Sequence, residues 1–191
     1  MVQSIGPKKI KCSVFISGNG SNLKSLIQFS NKKNSPISIE LIISDNLNAK
    51  GLKLGKIFKI SSKVFDFNNK SFSEKKIICE IKHKNIKLIC LAGFMRILSK
   101  DFIKNFKGKI LNIHPSLLPK YKGLNTHQRV LSNNEKYSGC TVHFVNSRLD
   151  SGKIILQKKV KIIKNETPKS LAKKNFNTRT QAVSKSNQEG I

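Results

Sequence analysis

Residues 11–29, KCSVFISGNGSNLKSLIQF, decide the fold of this 191-residue chain. The stretch opens with an apolar run, Lys11 to Ser17, whose β-branched and aromatic residues predict a buried strand. Gly18-Asn19-Gly20 then supplies turn residues, and Ser21-Asn22 open a segment whose apolar residues have helical spacing. The sequence therefore predicts a strand, a glycine turn and a helix.

The same alternation of strand and helix patterns continues along the chain. Further strands are predicted at 37–44, 63–67, 88–92, 109–113, 140–145 and 154–162, and helices at 49–59, 73–84 and 100–106. Such alternation indicates an α/β fold of one domain: a Rossmann-like, mostly parallel sheet with helices on both faces. The last two strands leave little room for a helix between them, so part of the sheet is expected to be antiparallel.

The composition limits the class of protein. No apolar run approaches the roughly 20 residues of a membrane span, and the N-terminus does not have the pattern of a signal peptide, so a cytoplasmic protein is expected. Four widely spaced cysteines in apolar segments indicate buried, reduced thiols. The net charge of +27 would suit nucleic-acid binding, but the lysines are scattered and the basic stretches contain few arginines or aromatics, so no nucleic-acid partner is expected.

The candidate site residues follow predicted strands. Ligands of a parallel sheet bind outside the carboxyl ends of its strands. The glycine turn follows the first strand, residues 95–98 follow the strand at 88–92, and Asn112 and His114 end the strand at 109–113. One crevice is therefore predicted to collect these motifs.

Asn112, His114 and Asp150 provide an amide, an imidazole and a carboxylate. An acyl transfer needs a donor that steadies the developing oxyanion, a group that exchanges protons near neutral pH, and a residue that tunes this group. These three side chains fit the three tasks in turn. They are therefore the candidate catalytic residues.

The glycine turn is a candidate anion site. Gly20 and Gly18 allow a tight turn and close approach of a ligand, and Ser21 and Asn22 lie where helix N-terminal amides favour a phosphate. A plain strand-to-helix turn is the alternative. A dinucleotide site is disfavoured, because the third glycine of that fingerprint is missing and only Asp45 is placed to bind a ribose.

Several segments together resemble the phosphoribosylglycinamide formyltransferases of purine (IMP) biosynthesis. These are VFISGNGSNLKSLI at 14–27, ISDN at 43–46, LAGFMRILS at 91–99, NIHPSLLPKYKGLNTH at 112–127, GCTVHFVNSRLDSGKIILQ at 139–157 and QKKVKI at 157–162. The resemblance implies the formyltransferase fold and a folate-dependent one-carbon transferase. Its co-substrate would be 10-formyltetrahydrofolate and its acceptor phosphoribosylglycinamide, in a monomer or homodimer that needs no metal.

The resemblance also implies roles for individual residues. Gly20, Ser21 and Asn22 would hold the substrate phosphate, and Asn112, His114 and Asp150 would be catalytic. The folate would contact Asn112 and a further set of residues: Lys70, Met95, Arg96, Ile97 and Leu98. His127 and His143 match family positions as pocket-shaping or packing residues, and His83 is expected to be solvated.

Related formyltransferases limit the choice of function. Methionyl-tRNA formyltransferases share the Asn-x-His motif but add a tRNA-binding domain, and formyltetrahydrofolate hydrolases add a regulatory domain. A hydrolase-like enzyme remains an alternative, as does an inactive product that keeps the fold. A basic nucleic-acid-binding protein is the third possibility.

The resemblance stops after Lys174. The family continues with a helix carrying Gln-Glu-His and then Tyr-Pro, whereas this chain reads NFNTRTQAVSKSNQEGI at 175–191. Codons chosen for these residues and read one base later give ILTQEHKLYPKAIKKV, which restores that pattern. A formyltransferase domain is therefore expected at 1–174, followed by an aberrant, disordered tail at 175–191 produced by a frameshift.

Overall fold

The computed structural model describes residues 9–175. These residues belong to two compact units, one that ends at Arg96 and one that begins at Ile97. Residues 176–191 of the predicted tail lie outside the described residues. Within the described part of the chain, no helix is long and apolar enough to cross a membrane.

The first unit is a parallel α/β sheet. Its strands are β1 (Ile10–Ile16), β2 (Ile37–Ser44), β3 (Ser61–Val64) and β4 (Leu88–Leu91), and its helices are α1 (Ser21–Ser30), α2 (Leu52–Ile57) and α3 (Lys70–His83). The strands lie in the order β3-β2-β1-β4 and pair in parallel. Because the chain moves from β1 to β3 and then returns to the far side of β1, right-handed crossovers place α3 on the opposite face from α1 and α2.

Burial in the first unit follows this layered arrangement. β4 is buried along its whole length, and β1 is buried from Cys12 onwards. β3, at the edge, is mostly exposed. Strands covered on both faces read as continuous apolar runs, which is why the sequence identified β1, β2 and β4 so directly.

The second unit combines short helices with antiparallel strands. It contains α4 (Lys100–Asn105), β5 (Lys109–His114), α5 (Thr126–Ser132), β6 (Tyr137–Phe144) and β7 (Ile154–Lys161). β6 pairs antiparallel with both β5 and β7, as the short connection between the last two strands predicted. Residues 168–175 are helical, and Asn175 is buried with its Nδ2 donating to Ser138 Oγ at 3.1 Å.

Four element predictions were wrong in their bounds, among them the strand predicted at 140–145, which begins earlier, at Tyr137. The third strand was predicted at 63–67, but it ends at Val64 because the Asp66 side chain accepts a hydrogen bond from the Asn68 amide and opens a 3₁₀ turn. The helix predicted at 73–84 begins earlier, at Lys70, because the Asn69 side chain caps it. α2 is shorter than predicted, and α5 was not predicted.

The cysteines are free thiols. Cys12, Cys90 and Cys140 are buried as expected, whereas Cys79 is exposed on α3, which corrects the prediction for that residue.

Candidate active site

The glycine turn of the first unit presents the amino end of α1. Gly20 has a φ of 73°, and a Cβ there would lie 2.5 Å from Gly51 Cα, so both the backbone conformation and the space require glycine. Ser21 is exposed and Asn22 is buried. Within the described residues no side chain caps this helix by a hydrogen bond, a feature that would leave its first amides available to an anion.

Ser17 connects three loops at the carboxyl ends of β1, β2 and β4. Its amide donates to Gly93 O at 3.1 Å, its hydroxyl accepts from Met95 N at 2.8 Å, and its carbonyl accepts from Asn46 Nδ2 at 3.2 Å. Arg96 Nε donates to Asp45 Oδ2 at 2.7 Å. Asp45, the residue considered for ribose binding, is therefore engaged by an arginine.

The residues expected to contact folate differ in exposure. Met95 and Ile97 are 61% and 65% exposed, whereas Leu98 is buried in the second unit. Lys70 is half-buried at the first position of α3. The exposed apolar side chains are available to an aromatic ligand, while Leu98 contributes to the core.

The three candidate catalytic residues meet in the second unit. Asn112 and His114 are two apart on β5, so their side chains emerge on the same face of the strand. His114 Nδ1 lies 3.3 Å from Asp150 Oδ2, and Asn112 Nδ2 donates to Asp150 Oδ1 at 3.3 Å. The His114 and Asp150 side chains are only 5% and 7% exposed, so their charges interact with little screening by solvent.

Asp150 is held by its backbone as well as by its neighbours. Its φ of 43° is in the left-handed region, which few residues other than glycine, asparagine and aspartate adopt. Gly152 makes this turn possible, because a Cβ at that position would lie 1.7 Å from Phe144 O. Gly123 N donates to Asp150 Oδ2 at 2.9 Å. The carboxylate is thus fixed from several directions.

These contacts keep Asp150 ionised. Burial raises the pKa of its carboxyl, but the His143 hydrogen bond, the Gly123 amide and the nearby imidazoles outweigh burial and hold the pKa below its ordinary value.

Both ring nitrogens of His114 face acceptors. Nδ1 faces the Asp150 carboxylate, and Nε2 lies 2.8 Å from Tyr121 O. Only the imidazolium can donate from both nitrogens, so this environment favours the protonated ring.

His143 is a member of the cluster that the sequence assigned to packing or pocket shaping. It is directly opposite Asn112 in the β5–β6 pairing. Its Nε2 lies 3.3 Å from Asn112 Nδ2 and 3.6 Å from Asp150 Oδ1, while its Nδ1 lies 2.8 Å from Phe144 O. The cross-strand register, which the sequence does not specify, brings this histidine to the site.

The cluster defined by the contacts of Asp150 contains His114 and His143 and not the other two histidines. His83 is exposed on α3, as expected, and His127 is half-buried on α5. Among residues 9–175 no group of histidine, cysteine and acidic side chains could hold a metal ion.

The fold and the site together define an α/β protein in which a half-buried amide lies beside a buried imidazole and a buried carboxylate, a cluster suited to acyl transfer. The formyl transferase family profile matches residues 10–186. The chain is 44% identical over 155 residues to phosphoribosylglycinamide formyltransferase of Haemophilus influenzae, covering 80% of this chain and 73% of that protein. This chain belongs to the formyl transferase family, which confirms the resemblance.

A larger relative and a solved structure support the assignment to this family. The chain is 40% identical over 173 residues to the trifunctional purine biosynthetic protein adenosine-3 of Gallus gallus, covering 89% of this chain but only 17% of that protein. The crystal structure of phosphoribosylglycinamide formyltransferase from Anaplasma phagocytophilum matches with a TM-score of 0.88 at 35% identity, over 95% of this chain and 88% of that one. The predicted Rossmann-like formyltransferase fold is confirmed.

Proposed function

We propose that this chain transfers the formyl group of 10-formyltetrahydrofolate to the amine of phosphoribosylglycinamide, a step of purine biosynthesis. The observation that carries the proposal is the cluster of half-buried Asn112 with the buried side chains of His114 and Asp150, in a member of the formyl transferase family. The co-substrate supplies a formyl carbon attached to a nitrogen that leaves as an amine.

The proposed binding residues are compatible with these two ligands. The uncapped amino end of α1, with Gly20, Ser21 and Asn22, suits the substrate phosphate. Met95 and Ile97 offer exposed apolar surface to a pteridine, with Arg96 and Leu98 in the same segment. Lys70 has the charge to attract the glutamate tail of a folate.

His114 would act through its charge. In the transition state the formyl oxygen becomes negative, and a buried imidazolium stabilises that charge more strongly than it would in water. Asp150 and Tyr121 O occupy the two N–H groups, and both contacts favour the protonated ring. The ring would therefore remain cationic throughout the reaction.

Asn112 would donate directly to the oxyanion. Its Nδ2 contacts to Asp150 and His143 are both 3.3 Å, long for hydrogen bonds, so an N–H can turn to a stronger acceptor as charge develops. Removing one oxyanion donor costs about 3 to 4 kcal/mol of transition-state stabilisation.

Asp150 would order the water that carries the proton. A C–N bond forms between the glycinamide nitrogen and the formyl carbon, and the bond from that carbon to the folate nitrogen breaks. The attacking amine loses one proton and the leaving nitrogen gains one, so the transfer needs no external acid or base. Positioned proton transfer of this kind contributes about 10²–10⁴-fold.

The wider setting is part of the same proposal. We place the protein in the cytoplasm as a monomer or homodimer that binds neither nucleic acid nor membrane. We also propose a formyltransferase domain at 1–174 and an aberrant tail at 175–191 that arises from a frameshift. A version with the restored frame tests this boundary, and higher activity of that version would support it.

The test of the proposed reaction is its dependence on the acceptor. The full chain is mixed with 10-formyltetrahydrofolate, with or without phosphoribosylglycinamide, and loss of formyl-folate is measured together with formate. We expect loss only when the acceptor is present, with no formate. Formate release without acceptor would instead identify a hydrolase, and silence in both mixtures would contradict formyl transfer by the chain as written.

A further inference from the structure

One loop of the second unit touches both His114 and Asp150, the charge pair of the proposed site, through its backbone. Tyr121 O faces His114 Nε2 at 2.8 Å, and Gly123 N donates to Asp150 Oδ2 at 2.9 Å. The loop, residues 119–125, thus contacts the imidazole on one side and the carboxylate on the other. The position of its backbone sets the separation and angle of the two groups.

This loop has an irregular conformation that needs external support. Tyr121, Gly123 and Asn125 all have positive φ, at 58°, 79° and 54°. For tyrosine this conformation is unfavourable unless the surroundings impose it, whereas glycine and asparagine adopt it more readily.

The residues that impose it lie on and just after α5. Arg129 Nη1 donates to Lys122 O at 2.7 Å and to Leu124 O at 3.4 Å, and the guanidinium carbon lies 5.5 Å from the Tyr121 ring centre. The Tyr121 hydroxyl donates to Glu135 Oε1 at 2.9 Å and accepts from Asn133 Nδ2 at 3.0 Å. We name Arg129, Asn133 and Glu135 the α5 clamp.

The charge of Glu135 suits this role. Hydrogen bonds from Lys120 and then from the Tyr121 hydroxyl lower the pKa of Glu135, so the carboxylate stays ionised as an acceptor at neutral pH. Lys120 Nζ lies 2.9 Å from the same oxygen. Lys120 and Tyr121, two successive residues of the loop, therefore both bind the carboxylate of Glu135, which is not one of the reacting groups.

We infer that the α5 clamp is a positioning device for the His114–Asp150 charge pair, with Arg129 as its principal residue; this inference rests on the proposed formyl transfer. Arg129 would act through the loop backbone, which contacts both His114 and Asp150. Its bonds to the loop are near the surface, where such contacts contribute little to global stability. A shift of the loop by about 1 Å is enough to reduce turnover by about 10²-fold.

The test compares Arg129→Ala, Arg129→Lys and Tyr121→Phe with Tyr137→Phe as the matched control. Tyr137 is the other tyrosine of the chain. It lies on β6, where its ring packs under Lys159 of β7, away from the loop. The full chain is used for kcat, KM and thermal unfolding. The ring ¹⁵N resonances of His114, assigned with His114→Gln, are followed against pH without any substrate.

We expect Arg129→Ala to lower kcat by about tenfold or more with KM nearly unchanged, and to shift the His114 ring resonances. Arg129→Lys, which keeps a donor, should recover part of the loss, Tyr121→Phe should show a smaller effect of the same kind, and Tyr137→Phe should show none. Unchanged His114 resonances in Arg129→Ala, or equal changes in Tyr137→Phe, would overturn the inference. If the parent chain lacks transfer activity, the proposed function fails. The His114 ring resonances of the variants then decide by themselves whether the α5 clamp positions the ring.

Discussion

Asp150 Oδ2 lies 3.3 Å from His114 Nδ1, and both side chains are almost completely buried. The two residues belong to different segments, the end of β5 and the turn after β6, and the pairing of these two strands brings the segments together. The charge that each group keeps depends on the other. Variants that change one of these side chains at a time distinguish the contribution of the charge pair to turnover from its contribution to folding.

Asp150→Asn removes the charge while keeping the size of the side chain. Asparagine tolerates the left-handed φ of 43°, so the fold is expected to persist. Without the carboxylate the imidazolium loses its partner and the water loses its acceptor, and kcat should fall about 10²-fold or more. Asp101→Asn, an exposed change in α4, is the control. Turnover of Asp150→Asn within a factor of a few of the parent would contradict the assignment.

His114→Gln tests the positive charge. Glutamine retains hydrogen-bonding capacity in a buried position but cannot be cationic at neutral pH. We expect kcat to fall by about 10²–10⁴-fold with little change in thermal unfolding relative to the parent. His83→Gln, on the exposed face of α3, should leave both quantities unchanged. Equal losses in the two variants would indicate a general effect on folding.

The lowered pKa of Asp150 predicts how stability depends on pH. Because the folded pKa is below the unfolded value of about 3.9, the stabilisation by this carboxylate is fully present above that value and is lost as pH falls through the folded pKa. Urea unfolding of the parent and of Asp150→Asn is measured between neutral and acid pH. The difference between their free energies of unfolding should shrink only below about pH 4. A difference that is already shrinking at neutral pH would contradict the lowered pKa.

Gly20→Ala tests the turn before α1. The positive φ and the 2.5 Å approach to Gly51 Cα should make this change destabilising by about 1–3 kcal/mol. Gly18→Ala is the matched control, because a Cβ there meets nothing within 4 Å. Urea unfolding compares the two variants, and inorganic phosphate binding provides a second readout that we expect Gly20→Ala to weaken. Equal free energies of unfolding for the two variants would contradict this prediction, because they would mean that the turn relaxes around the added Cβ.

Much of the fold could be predicted from the sequence, because buried parallel strands are continuous apolar runs. β2 and the start of β7 were placed correctly, and the antiparallel end of the sheet followed from the short connection. The errors lie where local polar side chains redirect the chain. Asp66 ends β3 early, and Asn69 starts α3 early.

The site could be predicted only in part. Asn112 and His114 are two residues apart in one sequence motif, and the motifs around Asp150 identified the third residue. The part played by His143 depends on which residue of β6 lies opposite Asn112, a register that periodicity does not fix. The α5 clamp depends on a loop with alternating positive φ, and its contacts come from side chains on a helix that the sequence did not reveal.

The most direct test of formyl transfer uses co-substrate with a carbon-13-labelled formyl group. The full chain is mixed with this compound and phosphoribosylglycinamide, and the label is followed by NMR beside the His114→Gln variant. We predict that the label appears as a formamide carbon on the acceptor nitrogen with the parent chain, and far more slowly with the variant. A label that remains on the folate, appears as free formate, or reaches the acceptor equally fast with His114→Gln would contradict the account.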